Sequence, residues 1–339
     1  MTVRWQEHVS LKPYNTFGID VKARYFVQAH TDADVREALA QAAERDLPVL
    51  VIGGGSNLLL TRDVDALVLQ MASRGCQVLS DVDGHVVVEA EAGEPWHPFV
   101  QWSLGQGLCG LENLSLIPGT VGAAPMQNVG AYGVEIKDVF AGLTALDRQT
   151  GELREFDLQA CAFGYRDSLF KQNPGRWLIL RVRFALSRTL QAHLDYGPVR
   201  QRLLEQGVEQ PTAQAISDAI CSIRREKLPD PAELGNAGSF FKNPVVPAAL
   251  AEQIRAHYPN VVAYPQADGQ VKLAAGWLIE QAGWKGYRDG DAGVHRLQSL
   301  VLVNYGQASG AQLHGLAQRI QADIRARFGV ELEMEPNLY

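Results

Sequence analysis

Cysteine is scarce in this chain: Cys76, Cys109, Cys161 and Cys221 are the only four in 339 residues, and no two of them form a C-x-x-C pair. That excludes a zinc ribbon or a thioredoxin-like redox motif and reads as reduced thiols in a cytoplasmic protein. The eight histidines are scattered without H-E-x-x-H or another ligand spacing, so no metal is expected. No apolar run approaches the ~18 residues of a membrane helix. The segment up to Phe17 alternates polar and aromatic residues and lacks the apolar core of a signal peptide. Basic excess is missing too: 31 Lys and Arg stand against 38 Asp and Glu, a net charge of -7. A broad cationic surface for nucleic acid or anionic lipid is thereby excluded, although local basic pockets are not.

What is present is core-forming material, 46% hydrophobic and 8% aromatic, in a chain too long for one ordinary core. Two or three domains are expected. From Thr31 an Asp-capped amphipathic helix, a turn at Pro48 and a short apolar strand lead into GGGSN. β-rich runs follow at 66–70, 76–80 and 85–93, the last two joined by Asp83-Gly84 as a hairpin. A helix is expected around Trp96, Val100 and Leu104, and strands at VFAGLTALDRQTGELREF and RWLILRVRFAL. The rhythm changes near residue 212, where TAQAISDAICSIRREKL reads as a helix stopping at Pro229. Beyond it, VPAALAEQIRAHY, VKLAAGWLIEQAG and SGAQLHGLAQRIQADIRARFG read as helices and LVLVN as a strand. The closing VELEMEPNLY alternates like a strand returning to the earlier sheet.

Two glycine-rich loops carry the first chemical signal. Gly53, Gly54, Gly55, Ser56 and Asn57 follow an apolar strand, where consecutive glycines can take positive φ and turn N–H groups around a pyrophosphate. The sixth position of a G-x-G-x-x-G would be Leu58 and no G-K-[ST] follows, so neither usual nucleotide fingerprint is present. The second loop, between Gly107 and Gly133, is too rich in Gly, Ala and Asn for a regular element. Together they suit a large flat cofactor that needs close backbone approach; a self-packed Ω-loop on Pro118, Met126 and Val129 is the plainer alternative.

Other residues are individually ambiguous. Arg166 in FGYRDSLF is shaped to clamp a carboxylate, or simply pairs with Asp167. Ser239 in GNAGSFFKNP has no G-x-S-x-G elbow and is a proton donor or a turn serine. Arg224 and Lys227 lie one helical turn apart, as a diphosphate grip or a solvated helix end. Glu331, Glu333 and Glu335 would share one strand face, which is unfavourable unless a cation, a ligand or a raised pKa relieves the repulsion.

GGGSN, GLENLSLIPGTVGAAPMQNVGAYG, YRDS, KLPDP and above all GNAGSFFKNP, in this order across nearly the whole chain, resemble the UDP-N-acetylenolpyruvoylglucosamine reductases, also called UDP-N-acetylmuramate dehydrogenases. The resemblance implies an α+β protein with an FAD-binding fold of the vanillyl-alcohol oxidase type in two subdomains, residues 1–70 and 71–219 with 328–339. A third, α/β domain at 220–327 would bind substrate. It implies non-covalent FAD, NADPH as co-substrate and UDP-N-acetylglucosamine enolpyruvate as substrate; no nucleic-acid or membrane partner is expected, and a monomer is expected.

By the same resemblance Gly53 to Asn57 would hold the FAD pyrophosphate, and Ile117, Pro118, Gly119, Gly122, Ala123 and Gly130 would line the flavin. Ala123 stands where some relatives have serine. Arg166 matches the family's cation on the substrate carboxylate, and Glu335, favoured over Glu333, its C-terminal glutamate. To donate a hydrogen bond Glu335 must be protonated at neutral pH, which needs burial or nearby negative charge. Ser239 matches the proton donor and needs a relay or a neighbouring charge such as Lys242. Tyr196 looks like the tyrosine that closes over the diphosphate in one subtype. Tyr165, Arg224, Lys227, Asn243 and Gln298 match further substrate contacts. An oxidase of the same fold, or a non-catalytic UDP-sugar-binding protein, is the alternative.

Overall fold

The computed structural model describes residues 3–339. The chain divides into two compact units: residues up to Val9 with Ala23–Gly54 and Asp65–Glu226, and Ser10–Lys22 with Gly55–Val64 and Lys227–Tyr339. It therefore passes from one unit to the other inside the GGGSN loop, and again where the helix Ala213–Lys227 ends.

The first unit holds two sheets. One is four-stranded, in the order Gln6–Ser10, Lys22–Ala29, Val64–Met71, Val49–Ile52, with the last two parallel and Val49 opposite Leu67. The helix Asp32–Glu44 is the crossover that such a parallel pair requires. Its N-cap is Thr31 rather than an aspartate: the Thr31 hydroxyl accepts from the Asp34 N–H and the Asp34 carboxylate accepts from the Thr31 N–H, a reciprocal capping box. Val35, Ala38 and Ala42 of this helix pack with Val27, Leu67 and Leu69 of the sheet.

The second sheet is five-stranded and antiparallel, in the order Leu153–Phe156, Phe140–Asp147, Trp177–Ser187, His85–Glu91, Cys76–Val82. The Asp83-Gly84 hairpin is present, both residues at positive φ (50° and 80°), as a two-residue turn between twisted strands demands. Register shifts at Gly142 and between Thr144 and Ala145 bend the central pair. The helix Trp96–Gly105 lays Trp96, Phe99 and Val100 on this sheet, where Trp96 and Phe99 both meet the buried Phe184 ring.

In the second unit, the strands Gly235–Ser239, Val301–Asn304, Ala292–Val294 and Arg288–Asp289 form one sheet, and Val245–Pro247, Gln270–Leu273 and Ala263–Pro265 another. The expected single helix at VKLAAGWLIEQAG is instead the strand Gln270–Leu273 followed by the helix Ala275–Gln281, because strands flank residues 270–273 on both sides and claim their backbone bonds. The helix Gly310–Phe328 starts at a Ser309–Gln312 capping box and ends at left-handed Gly329.

The expected strand over 331–335 does not form. There, only Met334 makes an isolated bridge, to Phe241, and regular pairing is confined to Asn337–Leu338 running parallel to Leu58–Leu59. The tail thus joins the segment just after GGGSN, not the five-stranded sheet. Among the described residues no helix is long and apolar enough to cross a membrane.

Candidate active site

In the first unit the two glycine loops meet backbone to backbone. A Cβ on Gly53 would lie 2.4 Å from Thr120 Oγ1, one on Gly54 3.1 Å from the Gly119 Cα, and one on Gly122 2.5 Å from the Ala92 Cβ. Of the three consecutive glycines only Gly55 takes positive φ, at 62°. The other two serve close approach instead of a left-handed turn. The second loop is pinned by Trp96 N–H to Gly119 C=O (3.0 Å), Val121 N–H to Glu94 C=O (2.9 Å) and Gly122 N–H to Ala92 C=O (2.9 Å). Ile117 and Gly130 are half-buried, while Pro118 and Ala123 are exposed. This is the kind of cradle into which a flat ring system fits, since no side chain separates it from backbone.

Beyond that cradle the loop is shaped by residues that have a Cβ. Asn128 is fully buried at φ 47°. Its Nδ2 donates to Glu135 Oε2 (3.0 Å) and the Gly164 C=O (3.1 Å), and its Oδ1 accepts from the Lys137 N–H (3.2 Å). The Gly164 bond ties the loop to the two-residue turn carrying Tyr165 and Arg166, which is closed by paired Gly164 and Asp167 backbone bonds. Arg166 takes φ 53° in that turn. Its Nη1 donates to the Gly130 C=O at 3.3 Å, and its C=O accepts from Lys171 Nζ at 3.0 Å. Buried Ser168 caps the following short helix and donates to the Met126 C=O at 2.6 Å. Arg166 is therefore tied to the second glycine loop itself, while Asp167 accepts from Gln172 Nε2 (2.7 Å) and the Ser168 N–H (2.9 Å).

Arg224 and Lys227 part company. Arg224 turns inward, its Nε donating to the Leu116 C=O at 3.3 Å and its side chain bonding Tyr132; burial holds its pKa below the usual guanidinium value. Lys227 ends its helix exposed. Tyr196 is 58% exposed, and its Cβ lies where a side chain on Gly133 would fall, at 3.2 Å. Asn113, buried nearby, donates to the backbone carbonyls of Tyr132 and His193, both at 2.9 Å.

The second unit builds its own constellation around Ser239. Buried Asn236 donates to the Pro229 and Leu234 carbonyls and accepts from the Gly238 N–H at 2.9 Å. Gly238 sits at φ 70°, so the strand bulges just before Ser239, which pairs with Val301. Phe240 and Phe241 anchor the other side, almost fully buried.

The C-terminal tail runs beside them: the Lys242 N–H donates to the Glu333 C=O (2.9 Å) and the Glu335 N–H to the Phe240 C=O (2.9 Å). Asn57 Nδ2 donates to the Glu335 C=O at 3.3 Å. Ser239, half-buried Glu335 and Asn57 are thus gathered from three distant stretches of sequence. Lys242, considered as a charge beside Ser239, pairs instead with exposed Glu333, and Glu331 pairs with Arg325. Those two carboxylates are therefore each paired with a cation. Asn243 Oδ1 accepts from the Ala275 N–H at 3.0 Å, and half-buried Gln298 turns its Oε1 toward the Leu300 N–H at 3.5 Å.

Two imidazoles, half-buried His97 and buried His295, escaped sequence reasoning because no motif marks them. His97 accepts the Leu116 N–H at Nδ1, 3.0 Å away. His295, 8% exposed, donates its backbone N–H to the Val301 C=O, so it lies one strand from Ser239 across Val301; its ring Nδ1 has no partner among the described residues. Burial, helped by nearby arginines, lowers both imidazole pKa values. All four thiols are unpaired, and burial pushes Cys76 and Cys161 up to about 12.

Fold and cradle together are those of an FAD-binding flavoprotein. Residues 23–157 match the FAD binding domain family, and residues 230–339 match the UDP-N-acetylenolpyruvoylglucosamine reductase, C-terminal domain, family. Along its full length the chain is 84% identical to the UDP-N-acetylenolpyruvoylglucosamine reductase of Pseudomonas putida and 71% identical to that of Pseudomonas aeruginosa, covering 100% of each. It is 54% identical to that of Chromobacterium violaceum over 99% of both chains. The crystal structure of the Thermus caldophilus reductase shares the fold, with a TM-score of 0.68 at 24% identity over 100% of this chain and 99% of that one. The chain belongs to the UDP-N-acetylenolpyruvoylglucosamine reductase family.

Proposed function

We propose that this chain reduces the enolpyruvyl double bond of UDP-N-acetylglucosamine enolpyruvate, giving UDP-N-acetylmuramate for peptidoglycan synthesis, with NADPH as the source of electrons. FAD, when bound, supplies the hydride. The backbone of Gly53 to Asn57 holds its pyrophosphate, and Ile117, Pro118, Gly119, Gly122, Ala123 and Gly130 line its ring. Residues 1–70 and 71–219 with 328–339 are read as the cofactor-binding part and residues 220–327 as the substrate-binding part of a monomeric cytoplasmic enzyme.

Hydride addition at the terminal carbon drives negative charge into the substrate carboxylate, so the barrier falls where a fixed cation and a donor await those oxygens. Arg166 is the cation. Its turn is bound to the ring-lining loop through Asn128, Ser168 and Gly130, so substrate carboxylate and flavin share one frame. Glu335 is the donor, and Ser239 delivers the proton to the carbon next to the carboxylate. Lys227, Asn243 and Gln298 contact the nucleotide, Tyr196 closes over its diphosphate, Tyr165 is a further substrate contact, and Arg224 is a secondary candidate that also braces the loop.

The observation that carries the reading is the Glu335 N–H to Phe240 C=O bond, which sets the C-terminal glutamate beside the bulged serine strand. An anaerobic visible spectrum tests it: NADPH should bleach the flavin band, and UDP-N-acetylglucosamine enolpyruvate should restore it. Ser239→Ala should leave bleaching nearly unchanged and abolish restoration. If both half-reactions fell together, Ser239 would not be the proton donor. Rapid recolouring in air without substrate would indicate an oxidase, and unaffected turnover in Ser239→Ala would remove the serine from the chemistry.

A further inference from the structure

Leu116 opens the ring-lining loop at φ 59°, a left-handed conformation that a leucine adopts only where its surroundings enforce it. Both of its backbone groups are held by helices. Its N–H donates to His97 Nδ1 at 3.0 Å, from the helix Trp96–Gly105, and its C=O accepts from Arg224 Nε at 3.3 Å, from the helix Ala213–Lys227. The same two helices grip the preceding residue: the buried Ser115 hydroxyl lies 2.7 Å from Ser217 Oγ, which also accepts from Gln101 Nε2 at 2.9 Å. Two consecutive residues are thus fastened immediately before the loop begins.

We propose that His97 is a positioning residue for the flavin: by accepting the Leu116 N–H it locks the left-handed turn from which residues 117–130 are laid along the ring. The inference rests on the reading that this loop lines the flavin. The lock requires a neutral imidazole with its proton on Nε2, because a proton on Nδ1 would face the Leu116 N–H donor to donor. The charged groups acting on His97 are Arg224 and Arg225, which together with burial favour the neutral ring. When His97 does take up a proton in acid, the acceptor is lost and the turn is released. The contact assigned to His97 is with the Leu116 peptide, so it acts through that peptide.

Three variants of the holoenzyme separate the possibilities. The Oδ1 of His97→Asn can take the place of Nδ1 and does not titrate, His97→Gln moves the acceptor one carbon further out, and His97→Ala has none. Free FAD affinity and the flavin visible band are read from pH 8 to pH 5. We expect His97→Ala and His97→Gln to weaken FAD binding by about tenfold, the worth of one lost part-buried hydrogen bond, and to shift the band. His97→Asn should keep both at pH 8 and should lack the acid weakening of the unaltered enzyme.

Equal behaviour of His97→Gln and His97→Asn, or an identical acid profile in His97→Asn and the unaltered enzyme, would overturn the proposal even if His97→Ala failed to fold. Ala123→Trp, which puts bulk on an exposed loop position, provides the control. If it leaves the band and the affinity unchanged, the loop does not face the flavin and the underlying reading fails with the proposal. If it moves them while the His97 variants do not, the lock alone is wrong.

Discussion

The two glycine-rich loops look alike in composition, yet the second adds a means of construction that the first lacks. In residues 53–55 shape follows from what is missing: each glycine lies where a Cβ would meet a neighbour, Thr120, Gly119 and the Tyr14 carbonyl in turn. In residues 116–133 shape follows from what is present, since Leu116, Asn128 and Tyr132 all carry a Cβ at positive φ (59°, 47° and 50°). There the helices, the Asn128 amide and the Arg166 turn enforce a conformation that glycine would take unaided. The first loop is therefore intolerant of added atoms, and the second, where Gly122 is crowded just as closely by Ala92, is intolerant of lost partners as well.

The sharpest break should come at Gly55. A Cβ there would sit 1.9 Å from the Tyr14 carbonyl oxygen, and the residue is at φ 62° as well. Backbone cannot rotate aside as a side-chain tip can, so Gly55→Ala should cost about 3 kcal/mol or more in urea unfolding. By contrast, the Gly53→Ala clash is with Thr120 Oγ1, and adding Thr120→Ala should recover most of its loss. A Gly55→Ala protein as stable as the parent would refute the steric account of this loop.

Next in size is Asn128, where the second loop depends on partners. Asn128→Ala removes three side-chain hydrogen bonds from a fully buried site and places alanine in the left-handed region. A loss of about 2–4 kcal/mol is expected. Asn128→Gly frees the backbone but still lacks the bonds, so it should remain destabilised by at least about 1 kcal/mol. Recovery to parental stability in Asn128→Gly would mean that conformation alone, and not the tether to Gly164, sets this corner.

How much of this was legible follows the same division. Short-range chemistry was readable: the Asp83-Gly84 hairpin, the Ser309 helix start and the strand before GGGSN all depend on residues within a few positions of each other. Both glycine loops stood out, but not their different construction, because helices and loops far apart in sequence supply the tethers. The tail misled for a related reason. Alternation at Glu331, Glu333 and Glu335 has the strand period, yet a strand also needs a partner edge, and only Met334 finds one. Sequence pattern could not show that Arg325 and Lys242 draw off two of the three carboxylates. Ser239 was marked by its motif; His97 and His295, single histidines in apolar stretches, had nothing to mark them.

A smaller and graded effect is expected from pH. His97 and His295 are both held below the ordinary imidazole value of about 6.5, by burial first and then by neighbouring arginines. The folded chain then binds fewer protons than the unfolded chain as pH falls through 6.5 or so, so stability is fully present above that range and declines below it. Urea midpoints of the apoprotein should drop between about pH 7.5 and pH 5.5. His97→Asn should flatten part of that slope and His295→Asn the rest, with the first also removing any acid loosening of FAD. An unchanged slope in the double variant would assign the acid sensitivity to other groups.

The smallest change should come where the two building methods are exchanged. Leu116→Gly replaces an enforced left-handed residue with one that adopts φ 59° freely, relieving roughly 1–2 kcal/mol of strain. It also gives up the burial of a half-buried leucine, worth roughly 1–1.5 kcal/mol, and some unfolded-state entropy, worth about 0.5–1 kcal/mol. The terms nearly cancel, so unfolding free energy should move by less than about 1 kcal/mol. What should change is the dependence on His97. With glycine at 116 the turn no longer needs the imidazole to hold it, so His97→Ala should cost less in the Leu116→Gly background than in the parent. A double-mutant cycle read by FAD affinity measures that difference. Additive effects would mean that His97 supports the loop through packing, and that the left-handed leucine is held by Arg224 and the Ser115–Ser217 contact instead.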